Sequence, residues 1–368
     1  MTIMNLAEKK TRAPFRFDGR AAERNFERNV SIVKNENDLV LAIDHSVLLD
    51  GEQATNMEKA HWVYNLVLPF MLAVSLWHML TVRVWRFFYL LTKGRPTSDV
   101  QKREYIFGPK NLSFWFDRIH PLANRVRNSV QTPFALDTIY VQRNLPVRNW
   151  RDWVLHFWLE QPDGVGVTNR LKMTFNRMQE ALRLLYEQKV EEIRMVSLAC
   201  GSAEASIQAL ANFHQRYPEH AIHLDLVDLN GDALKAAMKL AVARGVSDMV
   251  CTHQMKLREF LSTMPDNHFH LVECVGFKDY QKNQRIVELT ADIRQKLTPQ
   301  GWLISAMIAP SKWAFVVEWV INWHGLNRRS RELFQRLLEQ AFNYEGDVVE
   351  SVLEPNRIHS VAVCRKAA

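Results

Sequence analysis

A run of small residues between a buried strand and a helix constrains this chain more than any other stretch. Residues 195–199 are mostly apolar and predict a strand buried on both faces, and Cys200-Gly201-Ser202-Ala203 are all small. Because Gly201 has no Cβ, backbone N–H groups and the N-terminus of the next helix can approach a ligand closely there. The stretch therefore predicts a nucleotide-type site, although such residues also occur where a helix simply packs closely on a strand.

An acidic residue at the end of the next strand supports the ligand-binding interpretation. Residues 222–227 predict a second strand, which is followed directly by Asp228 and Leu229. A carboxylate at the tip of the second strand can accept hydrogen bonds from two ribose hydroxyls, as in dinucleotide-binding folds. Asp225 is the alternative, but it lies three residues earlier and would point to the opposite face of the sheet. We therefore favour Asp228.

These two stretches give the chain a resemblance to a known family. Residues 166–368 resemble class I S-adenosylmethionine-dependent methyltransferases, whose first strand usually ends hydrophobic-Asp-Leu-Gly-Cys-Gly-Thr-Gly. Residues 196–203 read Val-Ser-Leu-Ala-Cys-Gly-Ser-Ala here, so Leu198, Cys200 and Gly201 match. Alanines replace two glycines, and Ser197 stands where the family has an acid, a role that Glu204 could take over. The resemblance implies S-adenosylmethionine as cofactor, with contacts from Ala199, Cys200, Gly201, Ser202, Asp228 and Leu229.

A second match lies farther along the chain. Residues 297–303 read Leu-Thr-Pro-Gln-Gly-Trp-Leu and resemble the turn that the family writes as Leu-Lys-Pro-Gly-Gly before its fifth strand. The resemblance and the alternation of strands and helices imply an α/β fold: a doubly wound, seven-stranded, mostly parallel sheet with an antiparallel last strand. Pro162-Asp163-Gly164 predicts a turn. We therefore expect a helical, aromatic-rich accessory region over residues 1–165 and a Rossmann-like methyltransferase domain over residues 166–368.

Three further residues are expected at the cofactor. Gln254 and Met255 follow the third strand, where the family often has an acid for the adenine amino group. The Gln254 amide could hydrogen-bond the base and Met255 could lie against the ring. Glu273, in the fourth strand, is the third residue expected to contact the cofactor.

Methyl transfer from a sulfonium is an in-line displacement, so the protein mainly aligns the two reactants and excludes water. A general base helps when the acceptor arrives protonated. The candidates are Glu273, Asp279, Tyr280 and His324, each of which could instead serve a structural role in an ion pair or in packing. The Trp-rich segment 312–326 is expected to line the acceptor pocket.

Missing motifs narrow the range of possible methyl acceptors. The chain has no Asn/Asp-Pro-Pro-Tyr/Phe sequence after the fourth strand and no Pro-Cys nucleophile, so a nucleic-acid substrate is disfavoured despite a net charge of +7. The apolar, aromatic N-terminal half favours a hydrophobic small-molecule or lipid-like acceptor with a hydroxyl or carboxyl group, and O-methylation. Two alternatives stay open: a non-catalytic, membrane-associated Rossmann-like scaffold, and an enzyme that transfers the aminopropyl group of the same cofactor.

The segment 62–90 could contact a membrane. Residues 62–82 are apolar over about the thickness of a bilayer, and Arg83, Arg86, Lys93 and Arg95 follow. We consider a transmembrane helix, an in-plane helix or hairpin kinked at Pro69, and a helix buried within the accessory region.

The cysteines bear on the compartment. The chain has four cysteines with no Cys-x-x-Cys spacing, which predicts buried thiols and no metal site. With no visible secretory signal, we expect a cytoplasmic protein, with membrane association as an option. The sequence leaves the oligomeric state open.

Overall fold

The computed structural model describes residues 61–98, 101, 104–105, 119–130, 132–142, 146–321 and 323–368, so the expectations for residues 1–60 lie outside the described residues. The described N-terminal part is helical, as predicted. Its helices are α1 (His61–Lys93), α2 (Pro121–Asn128), α3 (Pro133–Gln142), α4 (Trp150–Leu159) and α5 (Pro162–Glu187).

A seven-stranded sheet forms the second part of the chain. Its strands are β1 (Glu192–Leu198), β2 (Ala221–Asp228), β3 (Val250–Gln254), β4 (Phe269–Val275), β5 (Leu297–Ile308), β6 (Val348–Leu353) and β7 (His359–Arg365). The strand order is β3-β2-β1-β4-β5-β7-β6, and β7 runs antiparallel to the other six strands. The predicted fold class is therefore confirmed.

Helices cover both faces of this sheet. They are α6 (Glu204–Arg216), α7 (Gly231–Arg244), α8 (Leu257–Thr263), α9 (Asn283–Lys296), α10 (Ala314–Trp319) and α11 (Arg331–Glu339). One apolar core joins the sheet to α5, α6 and α7, and another joins it to α8, α9 and α11. Residues 301–308 of β5 are all buried, as expected for a strand with helices on both faces.

The turn predicted at Pro162-Asp163-Gly164 is wrong, because these residues form the first turn of α5. Proline suits this position, since the first helical N–H groups have no partner within the helix and the fixed φ of proline is already helical. The helix has 26 residues, about 39 Å in length. Residue 165 thus lies within a helix, and the division into two domains near it stays a prediction.

Helix α1 packs along the body of the protein by one face only. Its buried residues are spaced along its whole length: Tyr64, Met71, Ser75, His78, Val82 and Tyr89. The helix contacts α10, and its Tyr64 hydroxyl donates a hydrogen bond to the Phe157 carbonyl oxygen (3.2 Å). Pro69 lies within the continuous helix, so the alternative of a hairpin kinked there is wrong.

Candidate functional site

The turn after β1 has a left-handed backbone at three alternating positions. Ala199, Gly201 and Ala203 have φ values of 51°, 56° and 53°. Only glycine adopts this region without a steric cost, which is roughly 1–2 kcal/mol for other residues. The two alanines stand where the related motif has glycines, so the turn keeps the glycine conformation with alanine side chains. Backbone strain that is retained in this way is typical of a ligand-binding turn.

Replacing Ala199 and Ala203 with glycine should therefore stabilise the protein. We expect each change to raise the free energy of unfolding by roughly 0.5–1 kcal/mol, because relief of strain outweighs the added freedom of the unfolded chain. Chemical denaturation would measure the effect. Ala209→Gly, in the interior of α6, should change stability in the opposite direction. Destabilisation by all three changes would contradict the strain at the turn.

The carboxylate of Asp228 lies directly beside this turn. One of its oxygens accepts a hydrogen bond from the N–H of Gly201 (2.9 Å), and the other accepts one from the N–H of Asn230 (2.8 Å). A carboxylate can accept about four hydrogen bonds, so both oxygens keep capacity for ligand hydroxyls. The structure thus brings together the two features that the sequence singled out.

A cavity of about 630 Å³ opens at the carboxyl ends of β1, β2 and β4. One part of its wall comes from the turn after β1, the ends of β2 and β3, and the start of α6: residues 199–206, 228–230 and 255–258. The other part is largely apolar and includes Val126, Leu136, Ile139, Tyr140, Trp158, Leu159, Val317, Ile321, Trp323 and Leu326. The expected contribution from segment 312–326 is therefore present, and helices α3 and α4 complete this wall.

Glu273 lies beside Ser197, the residue that stands where the related motif has an acid. Ser197 and Glu273 are register partners on β1 and β4, so their side chains share one face, and the Ser197 hydroxyl donates a hydrogen bond to the carboxylate. Burial raises the pKa of Glu273 to about 7. An acid that titrates near neutral pH in a cavity can hold or accept a proton there.

Two other candidate bases, Asp279 and Tyr280, also line the cavity. The Tyr280 hydroxyl accepts a hydrogen bond from the indole N–H of Trp323 (2.7 Å), and burial raises its pKa to about 12, so it is neutral near pH 7. Asp279 accepts a hydrogen bond from the N–H of Ile308 (2.8 Å) and faces Arg170 at 3.6 Å. Both groups are better placed to orient a ligand than to take its proton.

Two of the predicted site residues are not among those that line the cavity. The Gln254 amide packs over Gly231 and donates a hydrogen bond to the Leu229 carbonyl oxygen (3.3 Å). His324 lies 3.3 Å from the Glu318 carboxylate, and its ring packs edge-on against Trp319. The cofactor role of Gln254 and the catalytic role of His324 stay predictions, and neither side chain reaches the cavity in this conformation.

Sequence reasoning missed several polar residues of the cavity wall, among them Arg170 on α5 and His359 at the start of β7. Asp163 also lines the cavity and is held by Arg328 (2.8 Å) and by the Ser311 hydroxyl (2.6 Å). For Asp163 and Arg170 the sequence signal was a charged residue within a helix that otherwise reads as apolar, and His359 had no such signal. Their convergence depends on distant segments, which a local pattern does not reveal.

One polar cluster lies outside the cavity. Potential metal-donor atoms of His223, Asp225 and Cys251 lie within 4.8 Å of one another, on β2 and β3. His253 also contacts Asp225, at 2.7 Å. The expectation that the protein has no metal site stays a prediction.

Comparison with known proteins gives a likeness in fold. No protein-family model and no curated protein matches the chain. Among solved structures, a possible exported protein from Bordetella parapertussis aligns over 82% of this chain and 97% of its own, with 16% identity and a TM-score of 0.54. Since residues 166–368 are little more than half of the chain, the shared fold includes part of the helical region.

Methyltransferases are also among the structures found, at lower similarity. A candidate O-methyltransferase from Nostoc punctiforme aligns over 72% of this chain and 74% of its own, with 14% identity and a TM-score of 0.42. A magnesium protoporphyrin IX methyltransferase from Synechocystis aligns over 55% of this chain and 87% of its own, with 8% identity and a TM-score of 0.39.

Proposed function

We propose that this chain is an S-adenosylmethionine-dependent methyltransferase that acts on a hydrophobic small-molecule or lipid-like acceptor, with O-methylation favoured. One observation carries the proposal: the Asp228 carboxylate and the left-handed turn at Gly201 face each other beside an open cavity. The sequence predicted that both features bind the adenosyl group. The distance of 2.9 Å between the Gly201 nitrogen and an oxygen of Asp228 supports this prediction.

The residues around the cavity fit this cofactor. The two oxygens of Asp228 would hold the ribose hydroxyls, while Leu229 and Met255 supply apolar surface for the adenine ring. The short side chains of residues 199–203 leave the backbone and the N-terminus of α6 open to the methionine end. When bound, the cofactor supplies an electrophilic methyl group.

The other residues of the site would bind the acceptor and accept its proton. The largely apolar wall formed by α3, α4 and segment 312–326 would hold a hydrophobic body and exclude water. Above pH 7 the ionised carboxylate of Glu273 can accept a proton from an acceptor hydroxyl. This division of roles suits O-methylation, since an alcohol or phenol becomes a better nucleophile as its proton leaves.

Calorimetry with S-adenosylhomocysteine and an activity panel with methyl-labelled cofactor test the proposal. We expect saturable binding of the cofactor product and labelling of at least one apolar hydroxyl- or carboxyl-bearing acceptor. Product mass would distinguish methyl from aminopropyl transfer. If no cofactor binds at high micromolar concentration, the enzymatic proposal is rejected and the non-catalytic scaffold takes its place.

We further propose that α1 attaches the enzyme to the surface of an anionic membrane. Among the described residues, α1 is long and apolar enough to cross a bilayer, but its buried residues hold one face against the protein along the whole helix. The opposite face exposes large apolar side chains: Leu66, Phe70, Leu72, Leu76, Trp77, Leu80, Val84, Phe87, Phe88, Leu90 and Leu91. This arrangement supports a helix that lies in the membrane plane.

Basic residues beside this face favour an anionic lipid surface as the partner. Arg83 and Arg95 are exposed in the last part of α1 and just after it, and Lys93 is also exposed but forms an ion pair with Glu104 (3.2 Å). Each basic residue near such a surface contributes about 1 kcal/mol of attraction. The apolar face and the adjacent charge together match a bilayer with acidic headgroups, where an apolar acceptor would also be concentrated.

Flotation with vesicles of phosphatidylcholine containing 30% phosphatidylserine tests this attachment. Trp77→Gln combined with Phe87→Gln should lower the vesicle partition coefficient at least tenfold, because burial of each side chain contributes roughly 1.5–3 kcal/mol. Trp150 and Trp153 are equally exposed on α4, at 64% and 62%, so Trp150→Gln with Trp153→Gln is the matched control. Equal losses in both pairs, or no binding by the unaltered chain, would contradict the role of α1.

We propose that the protein is located in the cytoplasm. All four cysteines are free thiols, which supports a reducing environment such as the cytoplasm. The prediction that all of them are buried is wrong for Cys251, which is exposed, and Cys200 is only partly buried. Together, the free thiols and the exposed apolar face of α1 support a cytoplasmic enzyme that is attached to a membrane surface.

A further inference from the structure

Several polar atoms in the cavity wall are buried without a hydrogen-bond partner among the described residues. They are Nε of Arg170, the hydroxyl oxygen of Thr174 and both ring nitrogens of His359. The three residues expose 4%, 1% and 1% of their surface, and all line the cavity. A buried polar group without a partner destabilises the folded protein, so these atoms point to a ligand that satisfies them.

Arg170 is the centre of this polar group. It lies one helical turn before Thr174 on α5, so both side chains project from the same face of the helix. Its guanidinium is always charged, and its ion pair with Asp279 is long, at 3.6 Å. The guanidinium also forms a hydrogen bond with the side chain of Tyr140, so Nε is its donor without a partner among the described residues. Arg170 therefore brings a desolvated positive charge and one free donor to the cavity wall.

His359 complements this donor. Its ring carbon lies near Gly166 of α5, where an added Cβ would meet it at 3.3 Å, so glycine allows the ring and the helix to approach. Burial keeps the His359 pKa well below its usual value, and the charges of Arg170 and Arg328 act in the same direction. The neutral ring can donate one N–H and accept one hydrogen bond.

We propose that Arg170, Thr174 and His359 bind the carboxylate of an amphiphilic acceptor whose apolar body lies against helices α3 and α4. This inference rests on the proposed function and names its substrate class. A carboxylate offers acceptor oxygens for the guanidinium, the hydroxyl and the imidazole N–H, and it is the anion that arginine recognises best besides phosphate. The surrounding apolar wall selects against small hydrophilic acids.

The position of the group favours the acceptor over the cofactor. The proposed ribose and adenine contacts lie after β1, β2 and β3, whereas His359 begins β7, on the other side of β4 and β5. Arg170 also adjoins Tyr140 of α3, which belongs to the apolar wall. The carboxylate subsite thus lies where the helical region meets the sheet.

Calorimetry on the full chain with decanoate, 1-decanol and decylamine separates head-group recognition from tail burial. In the presence of saturating S-adenosylhomocysteine, decanoate should bind saturably, one per chain, at least tenfold more tightly than the other two. The double change Arg170→Met with Asp279→Asn removes both buried charges together and should reduce that preference to less than threefold. The single change Arg170→Lys keeps a positive charge and should retain part of the preference for decanoate. Arg177→Met, on the exposed side of the same helix, should leave it intact.

The outcomes distinguish the two levels of the proposal. If S-adenosylhomocysteine does not bind the unaltered chain, the methyltransferase function fails, whereas the decanoate preference can still be measured alone. If S-adenosylhomocysteine binds but decanoate shows no preference over 1-decanol, the function stands and the carboxylate subsite is refuted. If the double change weakens S-adenosylhomocysteine tenfold while decanoate binding persists, Arg170 serves the cofactor and the subsite assignment is overturned.

Discussion

Replacing Asp228 with asparagine is expected to weaken the binding of S-adenosylmethionine by about 10- to 100-fold. The carboxylate has an oxygen for each ribose hydroxyl, and asparagine keeps only one acceptor oxygen of the same shape. A hydrogen bond to a charged group contributes about 1.5–3 kcal/mol, which corresponds to this range of affinity. Asparagine also retains an acceptor for one of the two N–H groups that now bind the carboxylate, those of Gly201 and Asn230. Calorimetry with S-adenosylhomocysteine measures the loss.

Asp225→Asn is the matched control, since Asp225 lies on the same strand but its carboxylate contacts His223 and His253 instead of the cavity. We expect its cofactor affinity to stay within twofold of the unaltered chain. Equal weakening by both changes would mean that the loss reflects damage to β2, and an unchanged affinity in Asp228→Asn would remove the residue from the binding site.

Replacing Glu273 with glutamine should reduce the methyl-transfer rate by about 10²- to 10⁴-fold, the usual contribution of a general base. The carboxyl group of Glu273 has a pKa of about 7, so it is protonated at pH 5 and ionised at pH 9. The rate of the unaltered enzyme should therefore rise from pH 5 and level off above pH 8, whereas the glutamine variant should show no such rise. A variant that keeps the full rate, or the same pH profile, would exclude Glu273 as the base.

The same substitution should stabilise the protein at high pH. Burial raises the pKa of Glu273 from 4.5 to about 7, so the folded state holds a proton that the unfolded chain releases between these values. Stability therefore falls as pH rises from about 4.5 to 7, by an amount on the order of 3 kcal/mol. Glutamine cannot ionise, so Glu273→Gln should raise Tm at pH 8 and change it little at pH 4. Glu259→Gln, on the exposed surface of α8, should have no such effect at either pH.

Local sequence patterns were enough to predict the sheet and to select the turn at Gly201 and Asp228, which the structure places in contact. Buried parallel strands read as short apolar runs, and the small residues at 199–203 have few uses other than a tight turn. Asp228 follows its strand directly, so its place at the carboxyl end of the sheet did not depend on distant parts of the chain. The left-handed φ of Ala199 and Ala203 also agrees with the glycine positions of the related motif.

Contacts between distant segments were not predictable in this way. Glu273 meets Ser197 only because β1 and β4 pair in one register, across 76 residues of chain. Arg170 reaches the cavity because α5 crosses the ends of β4 and β7, which no residue near it encodes. The end of β3 was predicted one residue too early: the strand ends at Gln254 and not at His253. Because side chains alternate between faces along a strand, this shift changes the side of the sheet to which the Gln254 side chain points.

The length of α5 has a consequence for how this chain could be shortened. Its first turn carries Asp163, which is tied to Arg328 and Ser311 near the end of β5, while its middle carries Arg170. A chain that begins after residue 165 would lose that first turn and leave the Arg328 guanidinium without its carboxylate. A fragment that begins before Pro162 would keep these contacts of Asp163, so we expect it to be more stable than a fragment that begins at residue 166.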